Sequence, residues 1–130
     1  MIADVPVGVF LSGGIDSALV AAIVQKDSKI PINTFTIGFE DKSLDGSNYA
    51  KDIAEYLGTN HTERSGRKED ALAIIKTLPS IFDEPFADSS AIPTTLVSEL
   101  AKQKVSVVLS GDCGGELFCG YPSYALMEER

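Results

Sequence analysis

Apolar residues fall into two rhythms along this chain. Short uncharged runs, Val7 to Leu11, Ile32 to Phe39 and Val105 to Leu109, are rich in β-branched and aromatic residues. Each is bounded by Gly, Pro or Ser, so they read as strands, the first a central parallel strand covered on both faces. Between them, apolar residues return every three or four positions. That period predicts helices from Asp16 to about Lys26 (Leu19, Ile23 and Val20, Val24), Tyr49 to Leu57 (Tyr49, Ile53, Tyr56, Leu57), Lys68 to Lys76 (Ala71, Leu72, Ile74, Ile75) and Pro93 to Lys104 (Leu96, Val97, Leu100). Gly58 reads as the stop of the second helix. Thr59 to Glu63 reads as a short edge strand carrying His61, and Glu40 to Ser47, with Asp45-Gly46, as a surface turn. Leu78 to Pro93, with three prolines and acidic and hydroxyl residues around Pro85, reads as an irregular loop of the kind that carries function, or one in which Ser89 or Ser90 caps the next helix. Strands alternating with helices at these spacings predict an α/β fold, an open parallel sheet with right-handed crossovers and helices on both faces.

Composition narrows the possibilities. The 130 residues suit one domain with a real core, and 44% hydrophobic residues fit a globular α/β protein. A net charge of -8 argues against a general nucleic-acid or anionic-membrane surface, either of which needs clustered Lys and Arg. Cys113 and Cys119 lack the spacing of paired zinc ligands and read as free thiols of a reducing cytoplasm. No apolar run approaches the roughly 20 residues that span a bilayer, and no signal peptide precedes the first strand, so a cytoplasmic protein is expected. His61 reads as a surface or strand-end side chain. A strand this near Met1, and a forming helix at Tyr124 to Arg130, suggest a fragment of a longer protein.

Two strand ends carry the chemistry. Val7 to Leu11 runs into Ser12-Gly13-Gly14-Ile15-Asp16-Ser17, a strand, a tight turn and a helix start. Gly13 and Gly14 permit positive φ and close approach of a ligand. The unpartnered N–H groups of the first helical turn favour an anion, with the Ser12 and Ser17 hydroxyls beside them. Asp16, a carboxylate facing a phosphate, makes sense chiefly with a metal ion between them. The strand Val105 to Leu109 ends likewise in Ser110-Gly111-Asp112-Cys113-Gly114-Gly115-Glu116, and both loops should share one edge of the sheet.

The first loop resembles the pyrophosphate loop of the ATP pyrophosphatase superfamily. Together with Asp4-Val5-Pro6 before it, the Asp83-Glu84-Pro85 stretch and the second loop, it is similar to the synthetase domain of glutamine-hydrolysing asparagine synthetases. The resemblance implies an adenine nucleotide alpha hydrolase-like three-layer sandwich and a ligase that takes ATP and Mg2+. Such an enzyme adenylates the side-chain carboxylate of aspartate, releases pyrophosphate and lets ammonia from a glutaminase domain attack. It also implies site residues. Ser12, Gly13, Gly14, Asp16 and Ser17 would grip the β and γ phosphates, adenine would lie against Phe10, Leu11 and Ile37 with Gly38 nearby, and Ser110 and Gly111 would offer backbone contacts. Asp112 and Glu116 would be catalytic, and Asp16 would hold the metal. The chain departs from the implied pattern at Cys113 and Cys119, where glycines are expected, and at Gly115, where an aspartate would hold magnesium with Asp16. No Cys follows Met1, so the glutaminase domain is expected to be absent, as are the later helices that supply a lysine. Relatives amidate or cyclise other carboxylates, and some superfamily members modify tRNA, which the acidity counts against. A non-catalytic nucleotide-binding module and a tRNA sulfur-transfer enzyme are the alternatives. Exposed apolar area is expected where missing helices dock, with self-association as a homodimer.

Overall fold

The computed structural model describes residues 3–39, 45–121 and Tyr124. Four strands form one fully parallel sheet: β1 (Val7–Phe10), β2 (Asn33–Phe39), β3 (Asn60–Gly66) and β4 (Val107–Leu109), in the order β3-β2-β1-β4. The connecting helices are α1 (Ile15–Asp27), α2 (Ser47–Leu57), α3 (Lys68–Ile81) and α4 (Ala91–Ala101), and α5 (Gly114–Leu117) is a single turn after β4.

Alternation along β1 divides the core in two. Val9 and Leu11 join Ala21 of α1 and Ala50 and Ala54 of α2 on one face, while Phe35 joins Leu100, Ala101 and Val105 on the other, with Phe10, Ile37 and Val97 packed against them. The period-2 geometry of a strand puts neighbouring residues on opposite faces, so one sheet holds both clusters. The α/β architecture predicted from the periodicity is the one observed.

Several elements differ from their sequence reading. Strand β3 is an edge strand as expected, but runs to Gly66, because the full length of β2 offers it backbone partners from Asn33 to Phe39. Helix α3 continues through Pro79 to Ile81, so the irregular segment begins only at Phe82, and α4 starts at Ala91, two residues before Pro93. Ser90 stands at the N-cap of α4 without a side-chain capping bond to the helix, and it is the Asp88 carboxylate that accepts the Ser90 N–H, at 2.8 Å. Strand β4 begins at Val107 rather than Val105.

Helical faces also differ. Tyr49 and Tyr56, read as part of the apolar face of α2, are exposed, and the small residues Ser47, Ala50 and Ala54 meet the sheet instead. On α1 the stripe Ile15, Leu19 and Ile23 faces outward, and Ala21 is buried with Val20 and Val24 against the core. Of the apolar residues of α3, Ile74 is buried whereas Leu72 and Ile75 are exposed. Gly58 ends α2 in the left-handed region as expected, with φ 68°. Most of the Glu40 to Ser47 turn, and the terminal stretch beyond Tyr124, lie outside the described residues.

Candidate nucleotide site

Strand β1 ends under a loop that is closed on itself by hydroxyl groups. The Ser12 N–H donates to Ser17 Oγ (3.1 Å), the two serine hydroxyls lie 3.0 Å apart, Gly14 N–H donates to Ser12 Oγ (3.3 Å), and Ser17 Oγ donates to the Gly14 carbonyl (3.1 Å). Gly14 is the N-cap of α1 and has no side chain to bond the first-turn N–H groups, which leaves the positive end of the helix open.

Only Gly13 takes positive φ (83°); Gly14 lies in the extended region at φ -79°. The reason for Gly13 is packing. A Cβ there would stand 2.6 Å from the Gly46 carbonyl oxygen, and a Cβ on Gly46 would stand 2.6 Å from the Ser12 carbonyl oxygen, so the loop and the start of α2 meet backbone to backbone. Asp45 fixes that start by accepting the Ser47 N–H at 3.0 Å, and its bonds to Ser47, side chain first and backbone second, hold its carboxyl below the usual range.

The second loop packs directly on the first. A Cβ on Gly111 would fall 2.6 Å from the Ser17 nitrogen, and one on Gly114 would fall 2.8 Å from both carboxylate oxygens of Asp16. Side chains in either place would push the loops apart. Ser110 Oγ donates to Asp112 Oδ2 at 2.8 Å, and Tyr121 Oη donates to Glu116 Oε1 at 3.3 Å. The nearby Glu116 carboxylate holds the Tyr121 phenol above its usual range. Cys113 and Cys119 take φ 71° and 55°, so the two cysteines standing where the resemblance implies glycine adopt a conformation that glycine takes freely and other residues at a cost.

A cleft of about 1110 Å³ lies where these loops meet α4. It brings together Phe10, Leu11, Ser12, Gly14, Asp16, Ser17, Ile37, Ser110, Gly111, Asp112 and Glu116 from the expected set. Gly13 and Gly38 do not line it. Gly13 is turned to α2, and a Cβ on Gly38 would meet Ser47 Oγ at 3.0 Å and Glu63 Oε1 at 3.1 Å. Leu11 reaches the cleft floor, but it is fully buried and packs with Val9 in the α1/α2 core, so its side chain cannot share an adenine face with Phe10 and Ile37.

Sequence reasoning missed the opposite wall. Thr94, Ser98 and Lys102 recur every four residues along α4 and its C-cap and line the cleft with Glu99, as do Phe86, Asp88 and Tyr121. The polar period within an otherwise apolar helix was the available signal. Asp88 is held below the usual carboxylate range by the Ser90 backbone N–H and then by its side chain. His61 sits on β3, away from the cleft lining. Its Nδ1 is 2.9 Å from Thr34 Oγ1, its Nε2 is buried without a partner, and desolvation lowers its pKa.

The residues present fit a magnesium ion poorly. Asp16 faces the cleft, but Gly115 has no carboxylate, Asp112 and Glu116 each accept a hydrogen bond from a neighbour, and no group of three His, Cys, Asp or Glu among the described residues could hold a metal.

Comparison with known proteins matches residues 1–130 to the family described as asparagine synthase. The chain belongs to the asparagine synthase family. Among similar proteins of this family, a Methanocaldococcus jannaschii protein provisionally named glutamine-hydrolysing asparagine synthetase 2 is 43% identical over 125 residues, covering 95% of this chain and 24% of that protein. Glutamine-hydrolysing asparagine synthetase 1 of Bacillus subtilis is 40% identical over 124 residues, covering 95% and 20%. The chain thus spans a fifth to a quarter of the length of the curated relatives it matches. A solved structure, the NH3-dependent NAD synthetase of Campylobacter jejuni in complex with nitrate, superposes with TM-score 0.58 at 21% identity, over 92% of this chain and 52% of that one, a likeness of fold. No helix among the described residues is long and apolar enough to cross a membrane.

Proposed function

We propose that this chain is the ATP-binding core of a glutamine-hydrolysing asparagine synthetase. A side-chain carboxylate oxygen of aspartate attacks the α-phosphorus of ATP, and pyrophosphate leaves. Ammonia then attacks the acyl carbon of the β-aspartyl adenylate, a proton is lost, and AMP departs as asparagine forms. The glutaminase that supplies ammonia, and the lysine that assists adenylation, belong on this reading to parts of the parent protein beyond the chain.

The observation that carries the reading is the junction of the two loops: Gly111 abuts Ser17, and Gly114 abuts Asp16, at the open N-terminus of α1. Phosphate oxygens there would accept from the first-turn N–H groups and from the Ser12 hydroxyl, which would turn from Ser17 Oγ to donate to them. Adenine would rest on the Phe10 and Ile37 side, where the cleft wall is apolar. Asp112 and Glu116 would act at the reacting end, orienting the acceptor and the attacking amine.

Calorimetric titration of the chain with ATP tests this. Ser12→Ala removes a donor to a charged oxygen, so affinity should fall by about tenfold or more while circular dichroism stays unchanged. ATP binding that is indifferent to Ser12→Ala, or no binding by a folded chain, would sink the proposal.

A further inference from the structure

His61 lies off the cleft, yet its hydrogen bonds run into the helix that braces the Ser12–Ser17 loop. Thr34 on β2 is fully buried, and its Oγ1 is 2.9 Å from His61 Nδ1 and 2.8 Å from Thr59 Oγ1. Thr59 Oγ1 donates to the Ala54 carbonyl at 3.4 Å, and the same carbonyl, in the C-terminal turn of α2, accepts the Thr59 N–H at 3.0 Å. Each hydroxyl has one proton to give, which leaves two senses in which this chain can run. Outward from His61, Nδ1–H donates to Thr34, Thr34 to Thr59 and Thr59 to Ala54, so every contact holds a proton. In reverse, Thr59 gives up Ala54 to donate to Thr34, Thr34 donates to Nδ1, and the neutral ring carries its proton on Nε2. That nitrogen is buried without a partner. An N–H stranded there is costlier than an unused lone pair, because orphaned donors are the rarer of the two in protein interiors. The surroundings therefore select the outward sense.

We propose that His61, as its neutral Nδ1–H tautomer, is a positioning residue: through Thr34 and Thr59 it pins the C-terminal turn of α2, and α2 in turn sets the Ser12–Ser17 loop. The other end of α2 is where that loop is braced. A Cβ on Gly13 would stand 2.6 Å from the Gly46 carbonyl oxygen and 3.2 Å from the Ala50 nitrogen, and Ala50 and Ala54 are both buried in the core under α2. The 11 residues of α2 make about three turns of one rigid rod, so a shift at Ala54 is carried to Ala50 and Gly46. Burial keeps the imidazole neutral by lowering its pKa from 6.5. Lys51 acts in the same direction and Glu63 against it. The consequence for ATP rests on the nucleotide reading of the cleft, whereas the tautomer and the pinning of α2 do not.

Two-bond proton–nitrogen correlation spectra at neutral pH distinguish the imidazole tautomers. The Nδ1–H pattern is expected for the unaltered chain and for Thr34→Ser, which keeps the hydroxyl, and should be lost in Thr34→Val. An Nε2–H or imidazolium pattern in the unaltered chain would overturn the proposal even if Thr34→Val failed to fold. In calorimetric titration with ATP, Thr34→Val and His61→Leu should weaken binding by about threefold or more, whereas Thr34→Ser and His61→Asn, whose amide N–H stands in for Nδ1–H, should restore it. Equal weakening by His61→Asn and His61→Leu would reduce His61 to a filler of space and overturn its role, as would unchanged binding in Thr34→Val. If no folded chain binds ATP, the unaltered one included, the nucleotide reading fails and the amide shifts of Gly13 and Gly14 decide the positioning. They should move in Thr34→Val and hold in Thr34→Ser; shifts that stay put in Thr34→Val sink it.

Discussion

Single residues in this fold are constrained by what lies a few ångströms off their backbone. At Gly13, φ of 83° and the nearby Gly46 carbonyl both refuse a side chain. Gly13→Ala should therefore cost about 2–5 kcal/mol, the sum of left-handed strain and overpacking, seen as a lower urea midpoint. Cys113 is the converse case. Replacing a non-glycine residue at φ 71° by Gly relieves strain and gives back part of the gain as unfolded-chain entropy, so Cys113→Gly should stabilise by roughly 0.5–1 kcal/mol. A lower midpoint for Cys113→Gly would show that the thiol makes a contact worth more than the strain. Part of the cleft's lining was legible from residue type and motif: Ser12, Asp16, Ser17, Asp112 and Glu116 all reach the cleft. Gly13 and Gly38 lie outside the cleft lining because a glycine reports that Cβ is excluded, not which neighbour excludes it, and the Leu11 side chain is buried in the α1/α2 core.

His61 ties residue chemistry to pH. Its folded pKa lies below the unfolded 6.5 because burial disfavours the imidazolium. Between those two values the unfolded chain binds more protons, so stability climbs as pH rises through that window and levels off above 6.5. His61→Gln should flatten the melting temperature between pH 5 and 7. An unchanged slope would assign it to other groups.

Among elements, helix starts are secured by carboxylates that accept backbone N–H groups. Asp45 does so for α2, and Asp70 for α3, where it takes the Arg67 N–H at 3.0 Å and pairs with Arg64 at 3.1 Å. Both carboxyls are held below 3.8, so their contribution is complete above that value and is lost as pH falls through the lower folded values. Asp70→Asn should lower the neutral-pH melting temperature and weaken the acid dependence below pH 4. Helix α1 presents a different problem, being apolar on both its faces. Its outward stripe of Ile15, Leu19 and Ile23 is 85%, 55% and 54% exposed, and lies on a protein whose relatives are far longer. Paired Leu19→Lys and Ile23→Glu changes should reduce hydrophobic-dye binding and light-scattering mass with little change in melting temperature. If neither moves, the stripe does not govern association. Sequence periodicity located α1 and α2 well but misjudged their faces, since alanine and serine make the closest helix–sheet contacts and carry the weakest apolar signal.

For the whole molecule, β2 is the most enclosed strand, paired along both sides, whereas β4 offers three residues paired only to β1. Hydrogen exchange should therefore release Val108 and Leu109 well before Thr34 and Phe35. The parallel order was legible from alternating strands and helices, because crossovers of this length leave few topologies open. That both loops share one edge of the sheet was legible for the same reason, but their backbone contact at Gly111 and Gly114 was not, since it depends on β4 lying directly next to β1, an adjacency that no local pattern encodes.

The contact between Gly13 and Gly46 links two parts of the chain that sequence alone keeps far apart. A methyl group on Gly13 would strike the Gly46 carbonyl and one on Gly46 would strike the Ser12 carbonyl, so neither position is free to drift independently. Variation at Gly46 will be felt first as a change in the shape of the Ser12–Ser17 loop. A library that randomises the segment leading into α2 for new specificity will lose variants at Gly46 that never touch a substrate.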